Sequence, residues 1–226
     1  MTKFLCVQHT YNGIEAAVFK NRTLIEKKFE DKKKSSKLFV AMVQDLLKCC
    51  NCRLDDLSFI AANKGPGPFT TLRVVLASVN GLALSTQKPL IGVDGLDALL
   101  QEYRNPEYPR IMTVALLDAY SKDVYFGIAR EQELESQKGY RNIFAFLENL
   151  KKTYDNQEIY FIGNGSQKYQ QEIVSFFGDK AILDTSERFI QNCSIESVGK
   201  MAFEGWEQRL GLTDQLLPVY LKSTLT

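Results

Sequence analysis

Histidine is almost absent from this chain: His9 is the only one in 226 residues. A His-x-x-x-His zinc motif therefore cannot exist, and a histidine-based metallopeptidase is excluded with it. No charge of one sign dominates either. Lys and Arg number 28 and Asp and Glu 27, for a net charge of +1, which gives no bulk argument for nucleic-acid, membrane or acidic partners. No run approaches the roughly 20 apolar residues of a membrane span. The apolar stretch at residues 4–7 is too short for a secretion signal. The five cysteines are an odd number, and three of them bunch at Cys49, Cys50 and Cys52. A reduced, cytoplasmic chain is expected rather than a disulfide scaffold. A structural zinc site usually takes two pairs of ligands, and Cys193 alone supplies no second pair.

What is present is an alternation of short apolar runs and apolar-faced segments. Hydrophobic residues make up 45% of the chain, enough to fill one large domain or two modest lobes. Residues 4–7, 14–19 and 24–29 read as strands joined by tight turns at Asn12-Gly13 and Asn21-Arg22, which makes an antiparallel meander. Ser35 or Ser36 can cap a helix from Lys37 onward, where Leu38, Phe39, Met42, Val43, Leu46 and Leu47 recur at helical spacing. A strand at 59–62, a helix at 71–85, a strand at 90–93 and a helix at 97–103 follow. Asn105-Pro106-Glu107-Tyr108-Pro109 interrupts regular structure and divides the chain into lobes 1–104 and 105–226. The second lobe offers strands at 111–117, 123–129, 158–162 and 181–183, helices at 143–150, 169–177 and 195–210, and an extended tail at 218–221. This order predicts mixed α/β sheets in two related lobes. A doubly wound parallel sheet is the competitor, and the opening hairpins weigh against it.

The stretch Gly65-Pro66-Gly67-Pro68-Phe69-Thr70-Thr71-Leu72-Arg73 joins a strand to a helix, with Thr70 or Thr71 as N-cap. A phosphate cradle would need converging amides followed by a lysine. Pro66 and Pro68 donate nothing, and no lysine follows, so the loop reads as a rigid corner with a packing or partner-facing role. The helix beyond it carries Leu72, Val75, Leu76, Val79, Leu82 and Ala83, with Ala77, Ser78 and Gly81 on its flanks. It packs on the sheet or forms a helix-on-helix interface. Asp94 and Asp118 stand at strand ends, where a metal or phosphate could be held. The first strand offers only Gln8 and His9 there, so Asp118 reads as a turn-capping residue. His9 and Cys6 are three apart on a strand and face opposite ways, which disfavours a Cys–His nucleophile pair. Gly163-Asn164-Gly165 shapes either a ligand crevice or a flexible strand–helix turn.

Together these motifs resemble the TsaB/YeaZ family over nearly the whole chain. The family's loop reads Gly-Pro-Gly-Ser-Phe-Thr-Gly-Leu-Arg, matched by Gly65, Pro66, Gly67, Phe69, Thr70, Leu72 and Arg73. Residues 36–38, Asp118-Ala119, Val124-Tyr125, Gly163, Gly165 and Pro218-Val219-Tyr220-Leu221 add to the likeness. The resemblance implies a two-lobed actin-like ATPase fold of the ribonuclease H-like class, with mixed β-sheets flanked by helices. It implies a subunit without catalysis of its own, bearing no cofactor and no metal. Its partners would be a TsaD-like threonylcarbamoyltransferase, a TsaE-like ATPase and a second copy of itself. It would act in threonylcarbamoylation of tRNA adenosine 37, touching tRNA only through the complex and no membrane. The implied partner interface is Leu38, Met42, Thr70, Leu72, Arg73, Leu76, Val79, Asn80 and Ala83. Asp118, Gly163 and Gly165 are the positions left for a nucleotide. The alternative reading is a small-molecule kinase or ATPase acting alone. The chain departs from the family pattern where Gln8-His9-Thr10 replaces Asp-Thr-Ser, Ser35 a histidine, Pro68 a serine, Thr71 a glycine and Tyr120 an arginine.

Overall fold

The computed structural model describes residues 1–33, 35–103, 111–130, 137–183 and 192–222. The expected lobe boundary at 105–109 and the side chains of Ser35 and Ser36 lie outside this set. The meander forms as its turn residues predict: β1 (Lys3–His9), β2 (Gly13–Lys20) and β3 (Thr23–Asp31) pair antiparallel in sequence. Then come α1 (Ser35–Cys49), β4 (Phe59–Asn63), α2 (Phe69–Thr86), β5 (Leu90–Val93) and α3 (Gly95–Glu102). β4 joins β1 in parallel, and β5 joins β4 in parallel.

The second half repeats this plan. β6 (Met112–Asp118), β7 (Asp123–Ala129) and β8 (Gln137–Asn142) form a second meander, followed by α4 (Ile143–Tyr154). β9 (Ile159–Ile162), α5 (Asn164–Lys168), α6 (Gln170–Phe177) and β10 (Ala181–Leu183) follow, with β9 parallel to β6 and β10 parallel to β9. The strand orders β5-β4-β1-β2-β3 and β10-β9-β6-β7-β8 are the same order twice. The repeat is one of topology rather than sequence. β8 went unforeseen because Gln-Lys-Gly-Tyr-Arg-Asn is polar throughout, as an edge strand with both faces largely wet can be.

Alternation along the strands of the first sheet sorts its side chains. Leu5, Val7, Ile14, Ala16, Val18, Ile60 and Ala62 join one core with α1 and α2. Phe4, Phe19 and Phe59 point the other way and stack, with Phe4 at 5.0 Å from Phe19 and 4.4 Å from Phe59 between centroids. That aromatic face captures the last helix, α7 (Ile195–Gln208): Phe203 lies 6.1 Å from Phe4, and Trp206 lies 4.8 Å from Phe59. The chain then adds β11 (Leu212–Thr213) antiparallel to β5. The compact units are accordingly Met1–Ala98 with Ser194–Val219, and Leu99–Cys193 with Tyr220–Thr226. This differs from lobes at 1–104 and 105–226, because burying Phe203 and Trp206 on the first sheet draws α7 out of the second half. The second unit has its own core on one sheet face, where Val114, Leu116, Val124 and Phe161 meet Phe146, Leu147, Ile173 and Phe177.

α2, with 18 residues and a mean hydropathy of 1.2, is the described helix long and apolar enough to cross a membrane by length and composition. Thr71, Leu72, Val75, Leu76, Val79 and Ala83 bury one side of it against the first sheet, which makes it a core helix. Only 33% of it is buried, so an apolar helix is left with a broad outer face.

Candidate functional site

The corner between β4 and α2 is closed from within. Gly65–Pro66 is a cis peptide, and Gly65 has φ +96, where a side chain would be strained and would also press on Leu72. The Gly65 amide donates to Asn63 Oδ1 at 2.9 Å, and the Gly65 carbonyl accepts from Gly95 N at 2.8 Å. Asn63 Nδ2 reaches Gln8 Oε1 at 3.5 Å, and Gln8 Nε2 donates to Glu15 Oε2 at 2.6 Å. α2 starts at Phe69 after Pro68 with no side-chain cap, so neither Thr70 nor Thr71 plays the N-cap role that the sequence suggested. With Pro66 and Pro68 lacking an N–H and Gly65 committed, the loop has few amides left for an anion.

His9 fills the space under this loop. It is 3% exposed, and Nε2 stands 3.4 Å from the Pro66 carbonyl oxygen. Nδ1 is buried and has no hydrogen-bond partner among the described residues. Burial pushes the imidazole down to about 4, with the carbonyls of Pro66 and Asn63 offsetting part of that. The ring is therefore neutral near pH 7 and serves as a packing group. A Cβ on Gly67 would fall 2.2 Å from His9 Nε2. Gly67→Ala should accordingly cost about 1–3 kcal/mol, read as a shift in the urea midpoint. An unchanged midpoint would mean that His9 does not occupy this corner.

The equivalent corner of the second unit is also filled. Asp118, Gly163 and Gly165 do come together, as a shared site would require. Both carboxylate oxygens of Asp118 lie 2.9 Å from Lys168 Nζ, and Oδ1 accepts from Tyr120 N at 3.1 Å. Asn164 Oδ1 accepts from Asp118 N at 2.9 Å. Gly163 and Gly165 lie against the Leu116 backbone, where an added Cβ would stand 2.4 and 2.8 Å away. Their small size lets α5 pack onto β6. The Asp118 hydrogen bond raises the Lys168 ammonium above its usual range. Lys168 is the group that the sequence reading missed. Asp94, the other strand-end carboxylate, accepts from Leu96 N at 2.9 Å and Asp97 N at 3.3 Å, and so caps α3.

The residues expected at a partner interface fall into three groups. Met42, Leu72, Leu76, Val79 and Ala83 are buried in the first unit's own core, a correction to their assignment as partner-facing. Asn80 is half-buried and clasps the tail, donating from Nδ2 to Leu216 O at 3.0 Å and accepting from Leu216 N at 2.9 Å. Leu38, Thr70 and Arg73 are exposed. The outer face of α2 is Thr70, Arg73, Ala77, Gly81 and Leu84, at three- and four-residue spacing. Leu84 is 77% exposed, Phe69 is 52% exposed under an Arg73 guanidinium 3.8 Å from its ring, and Gly81 has open space beside it.

The family model for TsaD, tRNA N6-adenosine threonylcarbamoyltransferase, matches residues 24–210. The chain belongs to this family, in its TsaB/YeaZ branch. The tRNA threonylcarbamoyladenosine biosynthesis protein TsaB of Bacillus subtilis is 27% identical over 195 residues, covering 84% of this chain and 81% of that one. YeaZ from Pseudomonas aeruginosa superposes with a TM-score of 0.75 at 24% identity, covering 98% of this chain and 100% of that one. A putative N-acetylmannosamine kinase from Listeria monocytogenes shares the fold at a TM-score of 0.54 and 14% identity, covering 91% and 100%. The fold is the actin-like ATPase fold that the resemblance implies, and its mixed sheets are those that the order of elements predicts. Against the TsaB/YeaZ loop pattern, the departures at Gln8, His9 and Pro68 fall at the corner described above. There they remove an acid and two hydroxyls and add an imidazole plug.

Proposed function

We propose that this chain is the non-catalytic partner of a TsaD-type threonylcarbamoyltransferase, required for N6-threonylcarbamoyladenosine at position 37 of tRNA. The observation that carries this reading is α2, an apolar helix whose outer face stays open while the strand-end corners of both units are filled by His9 and by Lys168. An actin-like protein acting alone on a small molecule needs those corners for phosphate and metal. A partner subunit needs the helix. Ala77 and Gly81 allow close approach of a facing helix, and Leu84 and Phe69 supply apolar area at its ends. The same face would serve a homodimer when the transferase is absent, with a TsaE-type ATPase joining the assembled complex in the cytoplasm.

The test is reconstitution of tRNA threonylcarbamoylation from purified components with and without this chain, alongside co-purification with the transferase. Modification is expected only when both are present. Full modification in the absence of this chain, or turnover of a nucleotide by the chain alone, overturns the proposal.

A further inference from the structure

On the sheet face opposite α2, a cleft of about 920 Å³ opens between the β2–β3 turn and the C-terminal end of α7. Its wall is layered. Phe203 and Trp206 line it and are backed by the buried Phe4 and Phe59, on which they stack. The Arg22 guanidinium lies 6.0 Å over the Phe203 ring, and that of Arg209 lies 5.0 Å over Trp206. A guanidinium resting on an aromatic face is ordered before any ligand arrives and keeps its in-plane N–H donors. Arg22 spends one of them on Glu207 Oε2 at 3.0 Å.

Charge accumulates here in a chain that is otherwise nearly neutral. Lys20, Arg22 and Arg209 line the cleft, and Glu207 is the one carboxylate among the described residues lining it. The end of α7 would present a negative pole. Two of its carbonyls are capped, with Leu210 N on Gly205 O at 2.8 Å and Arg209 N on Trp206 O at 3.2 Å, and Arg209 adds a cation at that pole. An open trough with ordered guanidiniums over rings suits an extended polyanion: in-plane donors meet phosphate oxygens, and the exposed planes stack on bases.

We propose that this cleft binds the sugar–phosphate backbone of RNA, with Arg22 and Arg209 as the phosphate donors and Lys20 as a flanking cation. The choice of RNA over another polyanion rests on the function proposed above. The test is fluorescence anisotropy of an end-labelled, unmodified tRNA transcript with the full chain, at low and at physiological salt. Arg22→Ala with Arg209→Ala should weaken binding about tenfold and reduce the slope of log affinity against log salt by about 2. Arg22→Lys with Arg209→Lys keeps the charge and removes the planar fork. It should restore the slope but not all of the affinity, and it guards against a folding defect in the alanine variant. No binding of tRNA by the parent chain, equal affinity across the variants, or full competition by millimolar inorganic phosphate or AMP overturns the proposal. Co-purification with the transferase-type subunit reports on the partner reading separately and should be unchanged in both variants. Loss of the tRNA effect with pairing intact sinks only the cleft. Loss of parental pairing with the tRNA effect intact sinks only the partner reading.

Discussion

Val79→Asp should lose most of its folded stability, whereas Ala77→Glu, two residues away on the same helix, should melt like the parent and fail to support tRNA modification. The opposite outcomes follow from which way each position faces. Val79 has 0% exposure and packs with the side chains of α1, β1 and β4. A carboxylate there has no cation within the apolar cluster. Burying it costs several kcal/mol, about 4 or more, which uses up the stability of a domain at the low end of the typical range of about 5–15 kcal/mol. Ala77 is exposed, and a charge at an exposed helix position changes stability by only about 0.5 kcal/mol. Set against a partner helix, the same charge is desolvated without a mate, and pairing should fall at least tenfold. Thermal unfolding by circular dichroism and the reconstituted modification assay read the two effects. A parental melt for Val79→Asp would mean that this side chain is not in the core. Full modification with Ala77→Glu would mean that the outer face of α2 is not where the transferase docks.

These contrasts also mark how far the residues could be read before the fold was known. Periodicity located α2 and its apolar side. Whether that side meets the chain's own sheet or another protein depends on how much sheet lies beneath it, which no local pattern encodes. Leu72, Leu76, Val79 and Ala83 were therefore expected at an interface and lie in the core, while Ala77 and Gly81 were read only as flanks. Asn80 looks like a polar interface residue until the tail arrives from 136 positions away to meet both ends of its amide. The same limit explains α7, whose destination is set by Phe4 and Phe59 in the first sheet. Loop chemistry was more legible. Two prolines and the lack of a following lysine argued against a phosphate cradle, and the Asn63–Gly65 contact shows the amide turned inward. An Asn two residues before a glycine was the signal available for that contact.

His9 carries the remaining large effect, through pH. Its folded pKa lies at about 4 against 6.5 for a free imidazole. As pH falls below about 6.5, the unfolded chain takes up a proton that the folded chain refuses. Stability is thus lost progressively between pH 6.5 and 4, and the loss levels off below the folded value. It amounts to about 3 kcal/mol. Carboxylates titrate in the same range, so the informative quantity is the difference from His9→Gln. That variant keeps an amide donor for the Pro66 carbonyl but cannot protonate. Urea unfolding from pH 7 to pH 4 should show the parent losing about 3 kcal/mol more than His9→Gln. Parallel curves would mean that the imidazole reaches water in the native state. The physical root is burial: the imidazolium is desolvated in this corner, and the carbonyls of Pro66 and Asn63 offset only part of that cost. A neutral imidazole packed there near pH 7 helps hold the corner that leads into α2.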